Sequence, residues 1–367
     1  MTPLAERKFR RILLIKPSSP GDIIHALPVL HGLRRRYPQA RIEWLVATAF
    51  ADLVAVDPRL GAVVRFDRRR FRLVGRSPRV TLDFLSFLRD LRSRDYDLVI
   101  DLQGLFRSGF MAFATRARVR IGFAAARELA WIFYTHRMTA TRQDVHAADR
   151  NYAVAALLGF ADVAMDFSPA LTGEDRQAAA RLRHASGIGG DGRYVVLVPA
   201  TRWETKCWPA SRFGWLAAAI RRAHGIPSIL VGGADDRARG DDAAAASDGA
   251  AANLCGRTTL RELAALIEQA TVVVTADSTP MHLAAAMGRP LVALFGPTNP
   301  ARTGPYCRAS DVLRVEDLDC SPCYYRRLTQ CPHGHACMEQ LTVETVAAEV
   351  SRRLADEAAP TAETVRP

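Results

Sequence analysis

Lysine is almost absent from this 367-residue chain: of its 50 basic residues only Lys8, Lys16 and Lys206 are lysine. Arginine offers planar forks, whereas a lysine supplies a compact point charge. Chance retention accounts for any one of the three, but two of them lie in motifs described below. Long apolar runs are lacking too. No window holds 18 uncharged apolar residues, which excludes a membrane-spanning helix. The apolar run 12–15 is too short for the core of a signal peptide, so a cytoplasmic location is expected. Seven cysteines in such a compartment point to free thiols or metal ligands rather than disulfides. With 49% hydrophobic and 24% charged residues, the composition is that of a globular protein and excludes general disorder. The net charge of +12 suits polyanionic partners: nucleic acid, phosphorylated sugars or an anionic membrane surface.

Short β-branched runs alternate with amphipathic stretches. The pattern predicts strands over 11–16, 41–46, 62–66, 97–101 and 118–122, with helices over 22–36, 48–56, 82–94 and 105–115. A second series has strands over 194–198, 228–231, 252–255, 271–275 and 290–295, with helices over 210–224, 236–246, 259–269 and 279–287. Two such series imply two α/β domains with parallel sheets. The expected division is an acceptor-binding domain over 1–175, a nucleotide-sugar domain over 176–350 and a flexible tail over 351–367. The glycine-rich stretch 167–193 reads as a hinge. Ligands in such sheets bind beyond the carboxyl ends of the strands.

Four loops at such ends carry chemistry. Lys16-Pro17-Ser18-Ser19-Pro20-Gly21-Asp22 follows the first strand. Gly21 allows close backbone approach, and Asp22 is either a general base or an ordinary helix cap. Thr201 to Pro209 holds Lys206, a point charge suited to a phosphate or a solvated loop lysine, and Trp208-Pro209, which opens a helix. Asp277-Ser278-Thr279-Pro280-Met281-His282 places hydroxyls, a carboxylate and a histidine at a helix start, a ready anion site. Gly296-Pro297-Thr298 is a rigid turn beside it. Asp235, after Gly232-Gly233, could accept a ribose hydroxyl, although the dinucleotide fingerprint is missing.

Taken in order, Ser18 to Pro28, Asp101-Leu102-Gln103-Gly104-Leu105, Lys206-Cys207-Trp208-Pro209, Asp277 to His282 and Phe295-Gly296-Pro297-Thr298 resemble glycosyltransferase family 9, the heptosyltransferases of lipopolysaccharide core assembly, most closely the heptosyltransferase I branch. The resemblance implies a GT-B fold, two Rossmann-like doubly wound domains facing a central cleft. It implies metal-independent, inverting transfer of heptose from ADP-L-glycero-D-manno-heptose to the Kdo/inner-core region of lipopolysaccharide, by an enzyme peripheral to the cytoplasmic face of the inner membrane. Asp22 maps to the base and Lys206 to the donor phosphate contact. Asp277, Ser278 and His282 map to donor binding, with Thr201, Thr279, Asp235 and Gly296 beside them. Ser18, Ser19, Gly21, Gln103, Arg107 and Arg120 are the expected acceptor side. One departure stands out: Thr279 occupies a position where the family usually has glycine.

The expected partners are a nucleotide-sugar donor, an anionic lipid A-Kdo acceptor and the inner membrane surface, with no nucleic acid and a monomeric chain. The arginine-rich stretch Arg65, Arg68, Arg69, Arg70, Arg72, Arg76 and Arg79 is either an acceptor or leaflet contact or a solvated loop. No cofactor is required, but Cys320, Cys323, Cys331 and Cys337 could hold a structural zinc. Two alternatives remain: a family 9 enzyme with a different nucleotide sugar or glycan acceptor, and a non-enzymatic glycolipid-binding protein. A nucleotide-sugar 2-epimerase would need several carboxylates and histidines around the sugar, and these cannot be assembled from the sequence.

Overall fold

The computed structural model describes residues 2–139, 145–189 and 192–358. The chain divides into two compact units, Met1–Ala170 and Leu171–Pro367. In the first, β1 (Arg11–Ile15), β2 (Arg41–Ala47), β3 (Ala62–Phe66), β4 (Leu98–Asp101), β5 (Val119–Phe123) and β6 (His136–Met138) form a parallel sheet in the order β3-β2-β1-β4-β5-β6. In the second, β7 (Val195–Leu197), β8 (Ser228–Leu230), β9 (Ala251–Asn253), β10 (Val272–Ala276), β11 (Leu291–Phe295) and β12 (Val312–Arg314) follow the order β12-β11-β10-β7-β8-β9. Counted from its own first strand, the second sheet has the same 3-2-1-4-5-6 arrangement as the first. That is the strand order of doubly wound nucleotide-binding folds.

The sequence explains the sheets. Ile12, Leu13, Leu14 and Ile15 in β1 and Val272, Val273 and Val274 in β10 are fully buried, as central strands covered by helices on both faces must be. The short edge strands β6 and β12 escape the sequence pattern. Each is three residues long and pairs on one side only, so neither needs a long apolar run.

Three expectations are corrected. The helix expected over 22–36 is two helices, Pro20–Ile24 and Leu27–Arg36, because Pro28 has no N–H to continue the ladder and is suited to a first turn. The expected hinge over 167–193 contains the helix Gly173–Ala185. Asp175 Oδ2 accepts from the Thr172 N–H at 2.8 Å, and the Asp175 N–H donates back to Thr172 Oγ1 at 3.2 Å. Arg176 then forks onto Glu268 at 2.7 and 2.8 Å, fastening this helix to Leu260–Gln269 of the second unit. Gly173 is thus the first helical residue, not a hinge. The expected tail over 351–367 begins inside the helix Val343–Ala358, whose Val346, Val350 and Leu354 bury an i, i+4, i+8 stripe against the second sheet's core.

Candidate functional site

At the carboxyl edge of the first sheet, the chain leaves β1 through Lys16 and enters the helix Pro20–Ile24 with Asp22 in its first turn. Lys16 is only 2% exposed. Its Nζ donates to the Leu102 carbonyl at 3.0 Å and lies 3.6 Å from Asp22 Oδ1. Asp22 Oδ2 accepts from the Ser19 N–H at 3.0 Å and from Ser19 Oγ at 2.8 Å. The carboxylate is therefore oriented by a capping residue and faced by a buried cation, while 38% of its side chain remains accessible. Burial pulls the Lys16 ammonium below its ordinary range, and Arg150 adds to that, while Asp22 and Asp101 oppose it.

Beside it, β4 ends in the fully buried Asp101. Asp101 Oδ1 accepts from the N–H groups of Gln103 and Gly104 at 2.8 and 3.2 Å, and Oδ2 accepts from Tyr134 Oη at 2.7 Å. Burial raises the Asp101 carboxyl above its usual range despite these donors. Gly122 makes the Tyr134 contact feasible, since a Cβ there would sit 2.3 Å from the ring. The loop so held turns at Gly104, with φ +66°, and presents Gln103, whose buried Oε1 has no hydrogen-bond partner among the described residues. Such an orphan acceptor is what a ligand hydroxyl would satisfy.

The remaining acceptor-side residues divide. Ser18 Oγ accepts from Arg68 at 3.3 Å, so the arginine-rich loop reaches this edge. Gly21 is buried in the first helical turn. Arg107 is exposed at the start of the helix Phe106–Ala114. Arg120 is engaged within its own unit: its guanidinium donates to the Phe133 and Ala117 carbonyls at 2.8 and 2.6 Å and lies against Phe113. These contacts brace it on β5. Sequence reasoning assigned no role to His25 or His146, whose rings meet edge to face at 5.0 Å. His25 lies inside the Ser18–Pro28 motif, but no motif marks His146.

At the carboxyl edge of the second sheet, three donors converge on Asp277 Oδ2: Lys206 Nζ at 2.7 Å, Thr298 Oγ1 at 2.8 Å and Thr303 Oγ1 at 3.2 Å. Lys206 Nζ also stands 4.4 Å from the centre of the Trp203 ring. Ser278 is the N-cap of the helix Thr279–Ala286, but its side chain does not cap the helix; its Oγ is 2.8 Å from Thr275 Oγ1. Thr279 is the first helical residue and His282 is buried one turn on. First-turn N–H groups, a lysine and hydroxyls thus share this edge, an arrangement that suits a phosphate ester. Thr201 holds the Lys206 loop by donating to the Trp203 carbonyl at 2.9 Å. Asp235 is exposed, and it is Asp236 that accepts the Gly233 N–H at 2.8 Å. Gly296 is small for packing, since a Cβ would lie 2.7 Å from Cys337 Sγ and 2.9 Å from Met338 Sδ. Trp208 is core, and its indole N–H donates to the Leu341 carbonyl at 2.8 Å.

Nothing among the described residues supports the zinc expectation. All seven cysteines are free thiols, and among the described residues no three His, Cys, Asp or Glu side chains gather to hold a metal. Cys337 turns into the core, where burial and the neighbouring Cys323, Cys320 and Cys331 push its thiol up to about 11. His335 is engaged with the Thr205 carbonyl at 2.7 Å. The segment acts instead as a strap. Ser321 Oγ donates to the Gly296 carbonyl, the Tyr324 N–H to the Pro297 carbonyl and the Leu328 N–H to Glu204, while Arg326 covers Trp203. Both loops that flank Asp277 are pinned by it.

The family model "Glycosyltransferase family 9 (heptosyltransferase)" matches residues 84–333. Lipopolysaccharide heptosyltransferase 1 of Pseudomonas aeruginosa is 32% identical over 325 residues, 88% of each chain. Among solved structures, a family 9 glycosyltransferase from Veillonella parvula superposes with a TM-score of 0.81 at 22% identity, over 95% of this chain and 98% of its own. The E. coli heptosyltransferase WaaC with ADP-2-deoxy-2-fluoro heptose superposes with a TM-score of 0.72 at 26% identity, over 93% and 99%.

Proposed function

The chain belongs to glycosyltransferase family 9, and from that premise we propose that it transfers heptose from ADP-L-glycero-D-manno-heptose to the Kdo/inner-core region of lipopolysaccharide, with inversion. It is a glycosyltransferase of GT-B fold, which sets aside the non-enzymatic reading. The observation that carries the substrate assignment is the 32% identity to a lipopolysaccharide heptosyltransferase 1 along 88% of both chains.

In this proposal Asp22 is the general base. An ordinary aspartate ionises near pH 4 and is a weak base at neutral pH, so positioning supplies much of its effect. Ser19 orients the carboxylate through Oδ2, and the carboxylate takes the proton of the acceptor hydroxyl as that oxygen attacks the anomeric carbon from the face opposite the leaving group. Lys16 Nζ, 3.6 Å from Oδ1, sets a buried cation against the carboxylate. Gln103 Oε1 would accept from a second acceptor hydroxyl. As the bond to ADP breaks, Lys206 and the first turn of Thr279–Ala286 would face the diphosphate and stabilise its charge. The diphosphate then competes with Asp277 for Lys206, and Asp277 becomes available to donor-sugar hydroxyls. Thr279 would add a hydroxyl donor where glycine would offer bare backbone. No metal is needed for these steps. We place the working enzyme on the cytoplasmic face of the inner membrane. No helix of the described residues is long and apolar enough to cross it.

Purified protein offered ADP-heptose, ADP-glucose, UDP-glucose and GDP-mannose with Kdo-lipid A tests the assignment. ADP release with ADP-heptose alone is expected. Turnover of a different donor would keep the family and the mechanism and overturn the donor assignment.

A further inference from the structure

We propose that the outer helix layer of the first unit is a docking face for an anionic lipid bilayer; only its usefulness to the enzyme rests on the heptosyltransferase reading above. All the exposed large apolar side chains described in that unit fall between positions 73 and 132. Leu82, at 62% exposure, and Leu85 lie one turn apart on the helix Pro78–Ser93. That helix satisfies the core with Val80, Phe84, Phe87, Leu88 and Leu91, and the two leucines lie outside that cluster. On the adjoining helix Phe106–Ala114, Phe106 and Phe113 project outward around Phe133, with ring centres 5.2 and 5.8 Å away. Leu129 and Ile132 continue the patch on the turn Ala130–Phe133 and just before it. Leu129 is 62% exposed in left-handed backbone, φ +59°. Leucine avoids that conformation, and here no burial compensates for it.

Charge selects the occupant. The exposed guanidinium groups of Arg72, Arg76, Arg79, Arg89, Arg107 and Arg116 have no carboxylate partner among the described residues. The carboxylates of the Pro78–Ser93 helix are already paired, Asp83 with Arg70 and Asp90 with Arg94. Exposed leucine and phenylalanine interleaved with unneutralised arginine match an acidic headgroup layer with hydrocarbon beneath it. A patch of this kind on an isolated soluble protein would only favour aggregation. The face also begins where the chemistry is: Arg68 touches Ser18, and the Phe106–Ala114 helix starts two residues after Gly104. A lipid-anchored acceptor lying in that bilayer would enter at the edge of the sheet that carries Asp22.

Sedimentation of the full chain with vesicles of phosphatidylcholine, with and without phosphatidylglycerol, tests this. Binding to the anionic vesicles is expected. The double variants Leu82→Gln/Leu85→Gln and Leu129→Gln/Ile132→Gln should each lower partitioning by roughly tenfold, and the loss should persist at high salt. Arg89→Gln/Arg116→Gln should weaken binding at low salt only. All three should turn over a de-acylated, water-soluble acceptor at the wild-type rate. The inference is overturned if the wild type ignores anionic vesicles, if the leucine variants partition unchanged, or if they dissociate an oligomer without altering vesicle binding. Absence of turnover with soluble acceptor and every donor would sink the heptosyltransferase reading while leaving the vesicle result standing.

Discussion

The two units share one strand order and use it differently. Each carries a lysine near an aspartate at the carboxyl edge of its sheet. In the first, Lys16 is sealed in, bonded to a backbone carbonyl and 3.6 Å from Asp22, beyond hydrogen-bonding range. In the second, Lys206 pairs directly with Asp277 at 2.7 Å and lies over Trp203, with 14% of its side chain exposed. A buried lysine held by a backbone carbonyl supplies field to the carboxylate beside it. A lysine whose main partner is a carboxylate can exchange that partner for a phosphate. In the proposed reaction the same fold thus supplies a proton acceptor from one unit and an exchangeable anion site from the other. The contrast teaches that burial and bond length, rather than residue type, set a lysine's role.

The largest expected break in this contrast is Asp22→Asn, which keeps the Ser19 contacts but removes the base. Turnover should fall by roughly 10²–10⁴-fold, with donor affinity little changed, as read by steady-state kinetics and calorimetry. Lys206→Met should weaken donor binding and lower kcat/KM by about 10²-fold, a loss of one charge-assisted contact to a developing anion. Lys16→Met should leave donor affinity unchanged and lower kcat by about tenfold. A structural test comes next. Gly122→Ala would drive a methyl into the Tyr134 ring and should destabilise the protein by about 2–3 kcal/mol, measured by denaturant unfolding. The smallest effect concerns pH. The folded-state pKa of Asp101 is raised, so its ionised form opposes folding at neutral pH. That penalty should fade as the pH drops through the raised value toward the ordinary range near 4, below which both states are protonated. The stability of the wild type relative to Asp101→Asn should therefore rise on acidification between neutral pH and about pH 4.

Much of this was legible in the sequence, for physical reasons. The buried runs of β1, β10 and β11 announce central parallel strands, because residues covered on both faces have no use for polar alternation. The motifs around Asp22, Lys206 and Asp277 stand out because each joins a strand end to a helix start, and the structure brings Lys206 together with Asp277 across 71 residues of sequence. What escaped was set by tertiary context. The glycines near 173–192 suggested a hinge, yet one of them starts a helix whose Thr172–Asp175 cap and Arg176–Glu268 fork decide the matter. Arg120 looked like an anion contact because sequence cannot show which carbonyls a guanidinium will meet. The cysteine spacing suggested a metal, but Cys337 turns into the core against Gly296. Position along a sequence carries no information on which way a thiol points.

Binding and turnover measured side by side for Asp22→Asn and Lys206→Met with ADP-heptose test the central claim most directly. The account predicts that Asp22→Asn binds the donor within a few-fold of wild type yet fails to turn it over, while Lys206→Met loses affinity for the donor. Loss of donor binding in Asp22→Asn, or sustained turnover by that variant, would contradict it.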